Sequence, residues 1–201
     1  MSALVIDSHP HIDSLCASLA RTYAEAHGDA TVLALRDLDF DPNLHFGYNK
    51  RQDLEPDLER AWQQIVDADH VVLVTPVWWG SVPALLKGFF DRVLLPGRAF
   101  EIRPSGMPTG LLKGRTGRLI VTTDSPWWYL KLMGDTTVKH LRRSTLRYCG
   151  IRPVPTTRIG AVKGSTEAKR ERWLAEAADQ GRREAAKNRR PAASKAADTV
   201  G

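Results

Sequence analysis

Residues 70–75, His-Val-Val-Leu-Val-Thr, form an almost unbroken β-branched run with no polar alternation. A strand of that composition has two apolar faces and needs cover on both, which is the situation of an inner strand in a parallel sheet flanked by helices. The rest of the chain offers matching parts. Ala3–Asp7 (ALVID), 31–35 (TVLAL) and 118–123 (RLIVTT) read as further strands, and 154–159 as a weaker one. Between them Leu15, Leu19 and Tyr23, then Leu54, Leu58, Ala61 and Ile65, then Leu85, Leu86, Phe89, Phe90 and Val93 recur at helical spacing. The third helix is entered through Pro83, at a first-turn position where the missing N–H costs nothing. Residues 136–148, closed by Cys149 and Gly150, and 166–188 complete the set. Five strands alternating with five helices predict an α/β doubly wound sheet, with five parallel strands in the order 2-1-3-4-5, helices on both faces and right-handed crossovers.

At 201 residues the chain is expected to form one domain, residues 1–188, followed at 189–201 by a basic, alanine-rich tail that is expected to be disordered. Hydrophobic (42%) and charged (26%) contents are ordinary for a globular protein and exclude wholesale disorder. No apolar run approaches the roughly 20 residues of a membrane-spanning helix. The first residues, MSALVIDSHPH, lack the basic-then-apolar layout of a signal peptide, so the expected location is the cytoplasm, without membrane insertion. Cys16 and Cys149 have no CxxC or metal-type spacing and are expected as free thiols. The net charge of +6 raises a nucleic-acid reading, but residues 163–201 hold ten Lys/Arg against six Asp/Glu and so carry +4 of it. A basic tail of this kind reads as a solvated face, and no nucleic acid is expected as a partner.

A sheet of order 2-1-3-4-5 binds its ligand beyond the carboxyl ends of its strands, where the strand order reverses between strands 1 and 3. That rule selects three loops: SHPHIDS after strand 1, PVWWGSV after strand 3 and DSPWWY after strand 4. The first feeds a helix amino terminus, where free N–H groups favour an anion such as phosphate, and Ser14 offers a hydroxyl. Equally, Asp13 or Ser14 is an ordinary helix N-cap. The loop contains neither GxGxxG nor GxxxxGK[ST]. His9 and His11 lack further ligands at metal spacing, and Asp37, Asp39 and Asp41 fail as a calcium loop because Pro42 and Tyr48 stand where glycine and glutamate are needed, so no metal is expected. The other two loops bring Trp78, Trp79, Trp127, Trp128 and Tyr129 to one edge, where they either pack in the core or await a planar ligand. No Ser/His/Asp elbow or H-E-x-x-H accompanies them.

At these residues the sequence resembles the flavodoxin-like NAD(P)H:quinone oxidoreductases, a family that includes the DT-diaphorase type and the ancillary subunits of bacterial potassium-efflux systems. The resemblance covers roughly residues 3–157 and rests on His9-Pro10 followed by Asp13-Ser14-Leu15, on DLDFDPN, and above all on residues 76–93 as P-x-x-W-x-x-x-P-A-x-L-K-G-x-x-D-R-V. Pro96 to Phe100, Thr122-Thr123 and Cys149-Gly150 add weaker support. It implies a flavodoxin-like fold and a non-covalent flavin, FMN in preference to FAD. It also implies a hydride passed from NADH or NADPH to flavin N5 and a two-electron reduction of a quinone-like acceptor, in a homodimer whose sites draw on both chains. By position, His9, Ser14, Leu15 and Cys16 would hold the phosphate and ribityl end. Pro76, Val77, Trp78, Trp79 and Gly80 would line the isoalloxazine, with the Trp79 N–H toward N5. Thr122, Thr123, Asp124 and Ser125 would border the pyrimidine, with Tyr129 as the catalytic hydrogen-bond donor. Phe100, Trp127 and Trp128 would face the substrate.

Three features depart from the family's pattern. Asp124-Ser125 replaces the Gly-Gly that usually follows Thr-Thr, Cys16 replaces a common asparagine, and the histidine that assists hydride transfer in the DT-diaphorase type is unmatched, since LMGDT has none and His140 lies too far along. A carboxylate at 124 facing the flavin would disfavour its anionic reduced form and lower the potential. This departure and the basic tail also motivate an alternative expectation, a regulatory subunit of a transporter-type partner with or without flavin.

Overall fold

In the computed structural model, which describes residues 2–188, the run at 70–75 lies in the middle strand of a five-stranded parallel sheet. The strands are β1 (Ala3–Asp7), β2 (Ala30–Ala34), β3 (His70–Pro76), β6 (Thr116–Thr122) and β7 (Thr156–Ile159), in the order β2-β1-β3-β6-β7. β6 and β7 are thus the fourth and fifth strands of the expected order. Strand periodicity divides each sequence between two cores. Leu4, Ile6, Val71, Leu73, Leu119 and Val121 face one core, whereas Val5, Val72, Val74 and Ile120 face the other. This is why residues 71–74, in the interior of the run, are all apolar. Each fully buried Val or Leu contributes about 1.5–3 kcal/mol, and Leu73→Ala would cost about 2–5 kcal/mol.

The first core is covered by α2 (Pro56–Asp67), α3 (Ala84–Val93) and the segment after α5 (Thr136–Lys139). That segment, His140–Leu146, is a π-helical stretch, so the single helix expected over 136–148 changes its hydrogen bonding partway. Pro83 is the N-cap residue of α3, one position ahead of the first turn assigned to it from the sequence. The second core is covered by α1 (Leu15–His27) and α6 (Glu167–Asn188). These two helices touch closely at Gly181, where an added Cβ would stand 2.5 Å from the Tyr23 carbonyl oxygen, so only glycine fits. Beneath them Glu184 accepts hydrogen bonds from Tyr23, from His70 Nε2 at 3.0 Å and from Arg118 at 2.7 and 2.9 Å.

Two features were absent from the sequence expectation. A small antiparallel hairpin, β4 (Phe100–Ile102) with β5 (Pro108–Gly110), lies between α3 and β6, and the tryptophan pair at 127–128 opens a short helix, α4 (Trp127–Leu132), instead of a loop. The segment between β2 and α2 is clamped by Arg92, which is buried on α3. Its guanidinium donates to the backbone carbonyls of Asp41 and Asp53 and to the Glu55 carboxylate at 2.8 and 3.1 Å. The expected tail at 189–201 lies outside the described residues. No described helix is long and apolar enough to cross a membrane.

Candidate active site

The three loops chosen from the sequence meet at the carboxyl ends of β1, β3 and β6, and the backbone pins each one there. Ser8 N–H donates to the Val74 carbonyl at 3.1 Å, Val77 N–H to that of Thr122 at 2.7 Å, and Thr123 N–H to that of Ile159 at 2.9 Å. Between them run two adjoining hollows that share Val77, Thr123 and Ser125. The smaller, of about 360 Å³, is walled by His9, His11, Ser14, Leu15 and Cys16 on one side and by Pro76, Trp78, Thr122, Asp124 and Val162 on the other. The larger, of about 690 Å³, is walled by Trp79, Gly80, Tyr129 and the 135–138 segment. Together they have the size of a cofactor cleft.

In the smaller hollow the first loop is shaped by its own side chains. Asp7 is fully buried, pairs with Arg36 and accepts from His9 N–H at 3.1 Å. His9 Nδ1 accepts from His11 N–H at 3.0 Å, and His11 Nδ1 from Asp13 N–H at 3.1 Å. A neutral His9 in that geometry carries its proton on Nε2. Burial is the main cause that lowers the His9 pKa below its ordinary 6.5, which favours this neutral form. Ser14 is the N-cap of α1 and accepts from Ala17 N–H at 3.1 Å, as the capping reading had it. Its hydroxyl proton remains available to donate. The next two N–H groups, of Leu15 and Cys16, have no acceptor among the described residues, so the helix amino terminus presents two free donors and its positive dipole end to the hollow. The Cys16 thiol points inward, 3.2 Å from Thr122 Oγ1, and burial pushes its pKa up to about 12, so it is a neutral structural thiol.

The larger hollow is defined by a two-residue turn. Trp78 and Ser81 exchange both backbone hydrogen bonds, at 3.0 and 2.9 Å, and the residues between them, Trp79 and Gly80, both sit at positive φ, 52° and 69°. This is the pattern of a type I′ hairpin turn, which favours Asn or Gly at both positions. A tryptophan there is strained, and Trp79 gains nothing from the fold in return because its side chain is fully exposed. Its N–H has no acceptor among the described residues. The turn is held from behind by the Gly80 carbonyl, which accepts from Thr137 Oγ1 at 2.6 Å. None of the four tryptophans at this edge is in the core: all are exposed.

Asp124 is not at positive φ, so the backbone does not require the glycine that the resemblance leads one to expect there. Its carboxylate accepts from Lys163 N–H at 2.9 Å, tying the wall of the smaller hollow to the loop between β7 and α6. Tyr129, on α4, lines the larger hollow. Trp127 and Trp128 lie exposed on the same helix but line neither hollow, and Phe100 packs edge-on against Tyr148, its ring centroid 4.9 Å away. Within one chain these three are therefore not brought to the cleft. Sequence reasoning missed Thr137, Asp135 and Val162; the short polar run GDTT carried no periodic signal that would have placed it behind the tryptophan turn. Among the described residues no group of His, Cys, Asp or Glu is arranged to hold a metal ion.

The family described as "Flavodoxin-like fold" matches residues 1–183, and the chain belongs to it. Human ribosyldihydronicotinamide dehydrogenase (quinone) is 38% identical over 113 residues, 54% of this chain and 48% of that protein, so the chain spans about half the length of such curated relatives. The FMN-dependent NADH:quinone oxidoreductase of Stenotrophomonas maltophilia is 32% identical over 143 residues, 69% of this chain and 71% of that one. Among solved structures, Smu.1420 from Streptococcus mutans superposes with a TM-score of 0.82 at 28% identity, covering 91% of this chain and all of the other.

Proposed function

We propose that this chain is an FMN-dependent NAD(P)H:quinone oxidoreductase. The observation that carries the reading is the tryptophan turn: a strained, fully exposed Trp79 with a free N–H, held open at the strand-order switch point beside a helix end with two free donors. A fold retains such strain where a ligand uses it. FMN, when bound, would take a hydride from NAD(P)H and return two electrons to a quinone, which picks up the hydride and a solvent proton to become the hydroquinone.

The protein's part is binding and orientation. Leu15 and Cys16 would hold the phosphate through their N–H groups, with the Ser14 hydroxyl and the neutral His9 Nε2–H as further donors. Pro76, Val77, Trp78, Trp79 and Gly80 would hold the ring system on one edge, and Thr122, Thr123, Asp124 and Ser125 on the other. The Tyr129 hydroxyl would donate to the oxygen where negative charge grows during reduction, an interaction that strengthens as the reaction proceeds. The enzyme is read as a cytoplasmic homodimer in which Phe100, Trp127 and Trp128, idle within one chain, complete the substrate wall.

A purified sample settles the matter through its absorbance. FMN released by acid, together with NADH or NADPH oxidation that depends on added menadione, supports the reading. Protein that stays colourless after FMN is supplied and oxidises neither nucleotide overturns it. Sedimentation at micromolar concentration tests the dimer.

A further inference from the structure

At the end of the sheet opposite the cleft, four cations surround one cavity of about 560 Å³: Arg103 at the tip of the β4–β5 hairpin, Lys113 before β6, Arg147 after the π-helical stretch and Arg152 before β7. Arg152 N–H donates to the Arg115 carbonyl at 3.0 Å and Gly117 N–H to that of Pro153 at 2.9 Å, which fixes the cavity at the amino end of β6. The cleft lies at the other end of that strand, at Thr122. At about 3.3 Å per residue the two are separated by roughly 20 Å.

No carboxylate lines this cavity, and among the described residues none of the four cations takes part in an ion pair or a side-chain hydrogen bond. Several other arginines of this chain do meet carboxylates, as Arg36 does Asp7, Arg92 Glu55, Arg98 Glu59, Arg118 Glu184 and Arg158 Asp135. Four like charges facing one space repel each other, and a bound anion relieves that repulsion. The frame that holds them is tied together: Leu112 N–H donates to the Cys149 carbonyl at 2.8 Å and Gly150 N–H to that of Arg147 at 3.1 Å. Ser105, Thr109 and Tyr148 also line this space and bring neutral hydroxyl-bearing side chains to it.

We propose that this cavity is a binding site for a small anion carrying two or more phosphate groups, separate from the flavin cleft. Guanidinium forks match phosphate oxygens, and the volume lies within the range of small-ligand sites. The four exposed cations border one open hollow instead of tracing a stripe. The aromatic ring there, Tyr148, is half-buried against Phe100, so no platform for stacked bases is offered.

The test uses FMN-saturated protein, so that the cleft is filled, with inorganic pyrophosphate as the probe in calorimetry and thermal melting. The expected result is one pyrophosphate per chain and a rise in Tm beyond that of sodium chloride at matched ionic strength. Arg147→Gln/Arg152→Gln should weaken binding about tenfold or more while flavin content and NAD(P)H oxidation stay unchanged. Arg182→Gln/Arg183→Gln, on the exposed face of α6, should leave binding intact. Should the first double variant fail to fold, Arg103→Gln/Lys113→Gln reads the same loss from the exposed rim. A Tm shift no larger than that of sodium chloride, or equal losses in the α6 control, overturns the proposal. So does a single-stranded oligonucleotide that binds more tightly than pyrophosphate through the same arginines, which would make the surface a nucleic-acid contact.

Discussion

The hydroxyl of Thr137 donates a 2.6 Å hydrogen bond to the carbonyl of Gly80, 57 positions earlier in the chain. The bond joins the start of α5 to the apex of the tryptophan turn, so the position of Trp79 depends on a helix that carries none of the cleft's aromatic residues. Thr137→Val removes one neutral hydrogen bond, worth about 1 kcal/mol. If that energy holds the turn for its ligand, FMN affinity falls about fivefold while Tm moves little. Fluorescence titration of the apoprotein with FMN measures the first quantity, and a melting curve the second.

Trp79 should show stability and binding moving in opposite directions. Its side chain makes no buried contact, and its φ of 52° is costly for any residue with a Cβ. Trp79→Gly is therefore expected to stabilise the apoprotein by about 1 kcal/mol and to weaken FMN binding or menadione-dependent turnover. Chemical denaturation of the apoprotein and a flavin titration give the two signs independently.

Glu184 gives the pH dependence. Burial alone would raise its carboxyl pKa, but the hydrogen bonds from His70, Arg118 and Tyr23 outweigh burial and hold it at about 2, against an ordinary 4.5. A carboxyl lowered by folding contributes stability that is complete above pH 4.5 and is lost as the pH falls toward 2. Glu184→Gln should cost about 3 kcal/mol at neutral pH because it leaves the half-buried Arg118 without its charge partner. The variant's stability should also fall less steeply than the wild type's between pH 4.5 and 2, as followed by urea denaturation across that window.

Asp124 separates anchoring from charge. Asp124→Asn keeps an oxygen to accept from Lys163 N–H, so FMN affinity should hold while loss of the negative charge raises the flavin's midpoint potential. Asp124→Ala loses both and should also free the loop between β7 and α6, seen as faster amide exchange around Val162. If the Asn variant leaves the potential unchanged, the carboxylate does not act on the ring.

The sheet and its two cores were legible because each central strand is short, β-branched and bounded by helical periodicity, so one pattern sufficed for residues such as Val72 and Ile120. The loops of the cleft followed from strand order alone. What escaped the sequence has physical reasons. The β4–β5 hairpin has strands of only three residues, Phe-Glu-Ile and Pro-Thr-Gly, too short for alternation to register. α4 has no buried residue, so it has no amphipathic stripe to read. Arg92 and Glu184 look like surface charges, and only their partners, 37 to 161 positions away, reveal that they are buried. The positive φ of Trp79 is invisible in composition, because a turn residue of that size contradicts the preference by which such turns are recognised.

The tight seat of α6 on α1 at Gly181 places the last described helix against one of the first. Tyr23 and His70 are made long before the glutamate they share, which follows them by 161 and 114 residues. On the ribosome, then, the second face of the sheet cannot close until nearly all of the described chain has emerged. A truncated nascent chain that ends before α6 is expected to display Val5, Val72 and Ile120 to whatever chaperone is waiting at the tunnel exit.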